Sequence, residues 1–158
     1  MSVATSQPLS TSRIDAGGHT PLQIVLTHDE PQCDAVYPAQ PTALAGIRHD
    51  VIDAAARCGA PDVTLTQIGL AVSEAASNAV LHAYRDGCGG GDVRVRVERV
   101  ERFLDVSVRD SGNGMSVRTD SPGAGFGLSL MAHATTRCVI TSRPGRGTNV
   151  LLRFALDG

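Results

Sequence analysis

The chain has 158 residues, of which 42% are hydrophobic but only 3% aromatic, and its formal charge is -2 at pH 7. The length allows one domain with an aliphatic core and excludes two ordinary domains, and the charge gives no indication of a nucleic-acid surface. The four cysteines and five histidines are dispersed, which argues against a zinc site and a disulfide framework. Without a signal peptide or an apolar run of roughly 18 residues, we expect a cytoplasmic protein with no membrane partner.

The N-terminal part of the chain has little to bury. Residues 1–20 are rich in Ser, Thr, Gly and Ala and predict a flexible tail, and residues 21–158 are expected to form a single domain. Within that domain, residues 22–26 are a candidate strand and residues 31–41 are predicted to be a proline-containing loop.

A first helix is predicted directly after this loop. Thr42 can cap its N-terminus with its hydroxyl group, and apolar residues then recur at intervals of three and four. Gly59 and Pro61 are expected to end the helix, because neither residue continues a helix well.

The central helix is predicted over residues 62–84, and it carries Glu74, Asn78 and His82 at every fourth position. These side chains form one polar stripe, while apolar residues gather on another arc and pack. The segment contains no lysine or arginine, so we expect the polar face to be covered as well. From the residues alone, Glu74 and Asn78 are either buried groups that find partners within the protein or parts of a binding site.

Two half-buried antiparallel strands are predicted after a glycine-rich turn at residues 86–91. The second strand, over residues 103–110, alternates so that Asp110 shares a face with its apolar residues. A carboxylate on the covered side needs donors from protein, water or a ligand. The alternative is a carboxylate that swings outward at the strand end.

Glycines are concentrated after this strand. They are Gly112, Gly114, Gly123, Gly125 and Gly127. The last three open a predicted helix that includes Leu128 and continues to about Ala134. Glycines let the backbone approach a ligand closely, and a helix N-terminus offers free amides to an anion such as phosphate. Plain turns are the alternative reading of such a sequence.

The last two strands are predicted over residues 138–142 and 148–156, joined by a tight turn at residues 144–147. Thr148 has the same parity as the apolar positions of the final strand, so its hydroxyl group would start the inward face. The alternative is an ordinary β-branched strand residue.

Four motifs stand in a fixed order: E-x-x-x-N on a helix, D-x-G-x-G at a strand end, G-x-G-x-G-L opening a helix, and G-x-G-T before a strand. This order resembles the ATP-binding fold of the GHKL (Bergerat) superfamily, which includes gyrase-type ATPases, heat-shock chaperones and histidine kinases, over residues 36–156. The resemblance implies an α+β two-layer sandwich with a mixed, mostly antiparallel sheet and helices on one face.

Within that superfamily the chain looks like the small stand-alone anti-sigma factor serine/threonine kinases of bacteria, because residues 73–84 read S-E-x-x-x-N-x-x-x-H-A-Y. The resemblance implies a homodimeric, ATP- and Mg²⁺-dependent serine kinase without direct nucleic-acid binding. Such a kinase phosphorylates a serine of an anti-sigma factor antagonist and sequesters a sigma factor. Two alternatives stay open: a nucleotide-binding regulator without phosphoryl transfer, and a detached histidine-kinase-like ATPase.

The resemblance also implies roles for the matching residues. Glu74 would be the general base for the incoming hydroxyl group, and Asn78 would bind the nucleotide and its Mg²⁺ ion through the side-chain oxygen. Asp110 would accept a hydrogen bond from the adenine amino group, and Thr148 would support it.

A second group of residues would surround the nucleotide. The group is Gly112, Gly114, Gly123, Gly125, Gly127 and Leu128. By resemblance, the first two let the backbone pass close to the nucleotide, the others wrap its phosphates, and residues 116–122 form a mobile lid. The chain departs from some relatives at Leu81, where they carry a lysine. Arg118 or Arg146 could supply that charge or serve only on the surface.

Overall fold

The computed structural model describes residues 30–84, 90–114 and 126–157. The predicted tail, the candidate strand at 22–26 and the predicted lid lie outside these residues, as does most of the glycine-rich turn. The elements in chain order are β1 (Cys33–Pro38), α1 (Leu44–Arg57), α2 (Asp62–His82), β2 (Asp92–Val100), β3 (Phe103–Asp110), α3 (Phe126–Ala134), β4 (Arg137–Ser142) and β5 (Thr148–Ala155).

The five strands form one sheet in the order β1-β2-β3-β5-β4, and each of these pairings is antiparallel. Alternate side chains of the central strands are buried on one face because a strand points successive residues to opposite sides. They are Val93, Val95, Val97, Leu104, Val106, Val108, Val150, Leu152 and Phe154. The predicted strands after the central helix, and their inward faces, are confirmed.

All three helices contribute to the core that covers this face. Ile47 and Val51 of α1, Ile68 of α2 and Met131 of α3 are fully buried against the inner side of the sheet. The molecule is therefore an α+β two-layer sandwich with its helices on one face, as predicted. The other face carries mainly polar side chains.

The predicted loop at residues 31–41 is wrong for its central part, which forms the edge strand β1. Proline cannot donate to a strand ladder, but it is tolerated at the end of an edge strand, where Pro38 lies. The strand is tied to α1 because the Tyr37 hydroxyl group donates to Oδ2 of Asp50 at 2.6 Å. Burial and the Asp50 carboxylate together hold the pKa of Tyr37 well above its usual range.

The predicted cap at Thr42 is also wrong. A single 3-10 turn, Pro41–Ala43, precedes α1, and the preceding residue Gln40 makes no side-chain capping bond. Pro41 itself starts the turn, because its fixed φ angle suits a first helical position. At the other end Gly59 adopts φ 82°, so the predicted end of α1 at this glycine is confirmed.

The central helix α2 is covered only in part. Its apolar arc is buried, but Leu70 and Leu81 are 45% and 53% exposed, so the expected covering of the second face is wrong at these positions. The side chains of Glu74 and Asn78 are half-buried. No helix among the described residues combines the length and apolar character that crossing a membrane requires.

Candidate functional site

Asp110 ends β3 on the inner face of the sheet, where only 5% of the residue is exposed. Its Oδ1 accepts hydrogen bonds from the backbone amides of Gly112 at 3.0 Å and of Thr148 at 3.2 Å. No described residue donates to the other carboxylate oxygen, Oδ2. The predicted inward orientation is confirmed, and the described part of the chain leaves one carboxylate oxygen to a donor on a ligand.

The electrostatics of this carboxyl group follow from its position. Burial raises the pKa of Asp110, and the amides of Gly112 and Thr148 oppose that shift by stabilising the ionised form. A further donor at Oδ2 would lower the cost of keeping the charge in this buried place. The arrangement therefore suits a ligand that brings a hydrogen-bond donor, such as the exocyclic amino group of a purine.

Three glycines around Asp110 leave no room for a side chain. A Cβ atom at Gly112 would run into the carbonyl oxygen of Ala83, and one at Gly147 would run into the carbonyl oxygen of Asp110 itself. A Cβ atom at Gly114 would lie 2.6 Å from a backbone oxygen of the β4–β5 turn. At these glycines the loop after β3 packs closely between the end of α2 and that turn. A further approach of Gly112 and Gly114 to a nucleotide stays a prediction.

Gly147→Ala should destabilise the protein more than Gly145→Ala. Both glycines have positive φ angles, of 79° and 68°, so alanine introduces backbone strain of about 1–2 kcal/mol at each position. Only at Gly147 does the new methyl group meet backbone atoms, whereas a Cβ atom at Gly145 has nothing within 4 Å. Overpacking adds about 1–3 kcal/mol to the loss at Gly147. Urea denaturation measures the free energy of unfolding of both variants, and equal losses would contradict the close packing at Gly147.

Two side chains to which the sequence analysis gave no role, Tyr84 and Ser142, also stabilise this region. The hydroxyl group of Tyr84 donates to the carbonyl oxygen of Asp92 at 2.8 Å and accepts from the amide of Ser111 at 3.1 Å. The hydroxyl oxygens of Ser142 and Thr148 lie 3.1 Å apart. Ser111 lies 27 residues from Tyr84 in the sequence, so local periodicity could not have identified this contact.

Glu74 and Asn78 lie one turn apart on α2, and no described residue forms a hydrogen bond or ion pair with either side chain. They are therefore not groups satisfied within the described part of the protein. The end of α2 contacts the Asp110 loop, where the Asn113 amide donates to the carbonyl oxygen of Ala83 at 2.9 Å. At 1.5 Å per residue, Asn78 lies about 7.5 Å and Glu74 about 13.5 Å back along the helix from Ala83.

The start of α3 lies against Glu74. A Cβ atom at Gly127 would be only 2.7 Å from Oε2 of Glu74, so the glycine lets the carboxylate approach the first turn of α3. An open cavity of about 440 Å³ at this contact is lined by Glu74 and by Phe126, Gly127, Ser129, Leu130 and His133. The carboxylate is therefore accessible from a groove between α2 and α3.

The other predicted site residues divide into two groups. Gly123, Gly125 and Arg118 lie outside the described residues, so their predicted roles stay predictions. Leu128 lies in α3 with 40% of its surface exposed, and its contact with phosphate also stays a prediction. Arg146 lines a cavity on the outer face of the sheet, which is the face opposite to the helices and to the inward carboxylate.

A metal ion at this site would have few protein ligands. No cluster of three or more His, Cys, Asp or Glu side chains occurs within residues 30–84, 90–114 and 126–157. The free amide oxygen of Asn78 fits Mg²⁺, which keeps several waters and is commonly held by one or two protein groups together with substrate phosphates. The residues present therefore fit a nucleotide-bound magnesium ion rather than an ion held in a protein cage.

Comparison with known proteins shows the family of this fold. The model of the histidine kinase-like ATPase domain matches residues 37–154. An anti-sigma F factor of Pasteuria penetrans is 37% identical over 97 residues, which cover 54% of this chain and 65% of that protein. The serine-protein kinase RsbW of Bacillus licheniformis is 33% identical over 81 residues, which cover 51% of this chain and 50% of that protein. The chain thus spans less than two thirds of either relative.

Two solved structures resemble the fold. The structure of the RsbU and RsbW domains of a Mycobacterium tuberculosis protein has a TM-score of 0.64 at 23% identity, covering 81% of this chain and 32% of that chain. The histidine kinase domain of a blue-light activated kinase from Erythrobacter litoralis has a TM-score of 0.54 at 26% identity, covering 73% and 60%. With its sheet, its central helix and the Asp110 loop, this chain belongs to the histidine kinase-like ATPase domain family, a part of the GHKL superfamily.

Proposed function

We propose that this chain is an ATP-dependent protein serine kinase that phosphorylates a serine of an anti-sigma factor antagonist and also sequesters a sigma factor. The observation that carries the proposal is that Glu74 and Asn78, on the helix that reaches the Asp110 loop, have no hydrogen-bond or ion-pair partner among the described residues. A domain that only bound nucleotide would need the acceptor at Asp110 but has no physical need for an accessible carboxylate at Glu74.

The order of these groups along α2 supports ATP as the ligand. Asp110 would accept the adenine amino group at Oδ2, next to the end of the helix. Asn78 lies about four fifths of the way along the 21 residues of α2, and Glu74 lies one turn nearer its start. This order of acceptor, amide and carboxylate follows the order of adenine, inner phosphates and terminal phosphate in an extended ATP molecule.

The chemistry expected of these residues is limited, because phosphoryl transfer depends mainly on positioning and on stabilisation of charge. Glu74 would accept the proton of the attacking serine hydroxyl group. The oxygen of that hydroxyl group would bond to the γ-phosphorus while the bond from the γ-phosphorus to the bridging oxygen breaks, which releases ADP. Asn78 would orient the phosphates through its amide oxygen. Mg²⁺, when bound, would neutralise the charge on those phosphates.

The choice of substrate and partner rests on the relatives. Both an anti-sigma F factor and a serine-protein kinase are among the proteins to which the chain is similar. We therefore infer that the acceptor is a serine on an antagonist protein, and that a sigma factor is the second partner. We also infer action as a homodimer, as the resemblance implies.

The test is a titration of the purified full chain with ATP and ADP, with and without Mg²⁺, followed by incubation with labelled ATP and candidate antagonist proteins. Acid-stable label on a serine is the expected result. Acid-labile label on a histidine would instead favour a detached histidine-kinase-like domain. Binding without transfer to any candidate would favour the nucleotide-binding regulator, and no binding would overturn the site as a whole.

Asn78→Ala should remove the Mg²⁺ dependence of ATP affinity. Loss of a metal-orienting group typically lowers affinity by about 10–100-fold, so the variant should bind ATP in the presence of Mg²⁺ no better than in its absence. Calorimetry with and without Mg²⁺ measures this, and Ser77→Ala, at the neighbouring half-buried position, is the matched control. A Mg²⁺ dependence that survives in the alanine variant would show that the metal assignment is wrong.

A further inference from the structure

The outer face of the sheet, opposite to the helices, carries a row of polar residues that run across four strands. Strand register places Arg94 of β2 beside Arg109 of β3, Arg109 beside Asn149 of β5, and Asn149 beside Thr141 of β4. We call this row, together with Arg96, Arg143 and Arg146, the arginine face. The arginine face lines a cavity of about 500 Å³.

The pairing of Arg94 with Arg109 is unfavourable by itself. Like charges directly opposite each other on neighbouring strands destabilise a sheet. Asp34 offsets the positive charge of Arg94, because its two carboxylate oxygens each accept a hydrogen bond from the Arg94 guanidinium group at 2.7 Å. Arg109 has no partner of this kind among the described residues. Arg109 therefore lacks the carboxylate that Arg94 has, and an anion bound beside it would offset the repulsion between the two arginines.

The rest of the arginine face shows the same excess of unpaired donors. Arg96 forms an ion pair with Glu98, yet its Nε atom is buried without a hydrogen-bond partner. Arg143 and Arg146 have no acidic partner in the described part of the chain. Counting described residues alone, five arginines and no acidic residue line the cavity, and two of the five arginines are paired. The whole chain has a formal charge of -2, so this positive surface is local.

We propose that the arginine face binds an extended, carboxylate-rich segment of a partner protein. Arg94 and Arg96 already pair with carboxylates of this chain, so Arg109, Arg143 and Arg146 are the arginines left to bind those of a partner. The row crosses three strand spacings, or about 14 Å, which exceeds the reach of a single small anion. Its positive charge lies on β2 and β3 and, through Arg143 directly after β4, at the far end. In an extended peptide, side chains at alternate positions are about 6.8 Å apart on one face, so two or three carboxylates would cover the row.

Other occupants fit this surface less well. A second copy of the chain that met it with the same face would bring arginines against arginines, which opposes association through like charges. The lining contains no aromatic side chain on which the bases of a single strand could stack. The acidic protein segment is therefore the occupant that the charges and dimensions favour, and this inference does not depend on the proposed kinase activity.

The test uses the full chain and a fluorescent peptide of about eight residues with alternating Glu and Thr, long enough to cross the four strands. Anisotropy should show binding that weakens as salt is raised, and the corresponding Gln/Thr peptide should not bind. Arg109→Gln combined with Arg143→Gln should weaken binding by about tenfold or more, because two charge-assisted contacts are lost. Arg48→Gln, an exposed position of α1 on the other layer, is the matched control and should change affinity less than twofold.

A second measurement separates binding from folding. The Glu/Thr peptide should raise the Tm of the parent and of Arg48→Gln but not of the double variant, whose own Tm should equal or exceed that of the parent. ATP affinity should be unchanged in all three proteins. Equal peptide affinity in parent and double variant would overturn the proposal. Tighter binding of tripolyphosphate or duplex DNA, lost in the double variant, would also overturn it and assign the face to phosphates.

Discussion

Glu74→Gln should lower the rate of phosphoryl transfer by about 10²–10⁴-fold, because glutamine keeps the shape of the side chain but cannot accept the proton of the attacking hydroxyl group. ATP affinity should stay close to that of the parent, since the adenine acceptor at Asp110 and the amide of Asn78 are untouched. Single-turnover transfer of label to the antagonist measures the rate, and calorimetry measures the affinity.

The position of the side chain makes this variant informative. Glu74 is half-buried and has no hydrogen-bond or ion-pair partner among the described residues, so its replacement by glutamine should have little effect on folding. Gln67→Ala, at an exposed position of the same helix, is the matched control and should leave the rate unchanged. A Glu74→Gln protein that transfers phosphate within tenfold of the parent would exclude Glu74 as the base.

Asp110→Asn should weaken ATP binding by about 10–100-fold, because a mispaired buried polar group costs about 1–3 kcal/mol. Oδ1 of Asp110 accepts two backbone amides, so an asparagine would place its carbonyl oxygen there and its NH₂ group at the position of Oδ2. That NH₂ group would face the adenine amino group, donor against donor. Inosine triphosphate, which has an oxygen in place of that amino group, should bind the variant better than ATP does.

Asp105→Asn is the matched control, since it is the same substitution on the outward side of the same strand. Asp105 pairs with Arg153 through two contacts of 2.6 Å, so its replacement should affect stability but not the preference between the two nucleotides. If Asp110→Asn keeps the parent's preference for ATP over inosine triphosphate, the Asp110 carboxylate does not accept a hydrogen bond from the adenine amino group.

The pH dependence gives an independent check on Asp110. Burial raises the pKa of this carboxyl group, so as pH falls it takes up a proton before an ordinary aspartate does. ATP affinity in the parent should therefore begin to fall at a higher pH than the usual aspartate range. Asp110→Asn lacks this step, so the difference between the two titrations removes the contribution of the phosphates of ATP.

Much of the fold could be predicted because its pattern is local. Alternation in β2, β3 and β5 placed Asp110 and Thr148 on the inner face, and a carboxylate on that face then required a donor. The edge strand β1 could not be predicted in this way, since its alternating residues Cys33, Ala35 and Tyr37 are only half-buried and prolines flank it. Its existence depends on pairing with β2, more than fifty residues later in the chain.

The candidate site shows the same difference between local patterns, which could be predicted, and contacts between distant segments, which could not. Patterns along the chain predicted the candidate residues: spacing along one helix puts Glu74 and Asn78 on one stripe, and four motifs in order indicate the family. The contacts between distant segments could not be predicted from these patterns. The amide of Thr148 reaches Oδ1 of Asp110 across 38 residues of sequence, and strand register sets Arg94 against Arg109. The physical reason is that periodicity reports the direction of each side chain, whereas contacts between distant segments are set by strand register and close packing.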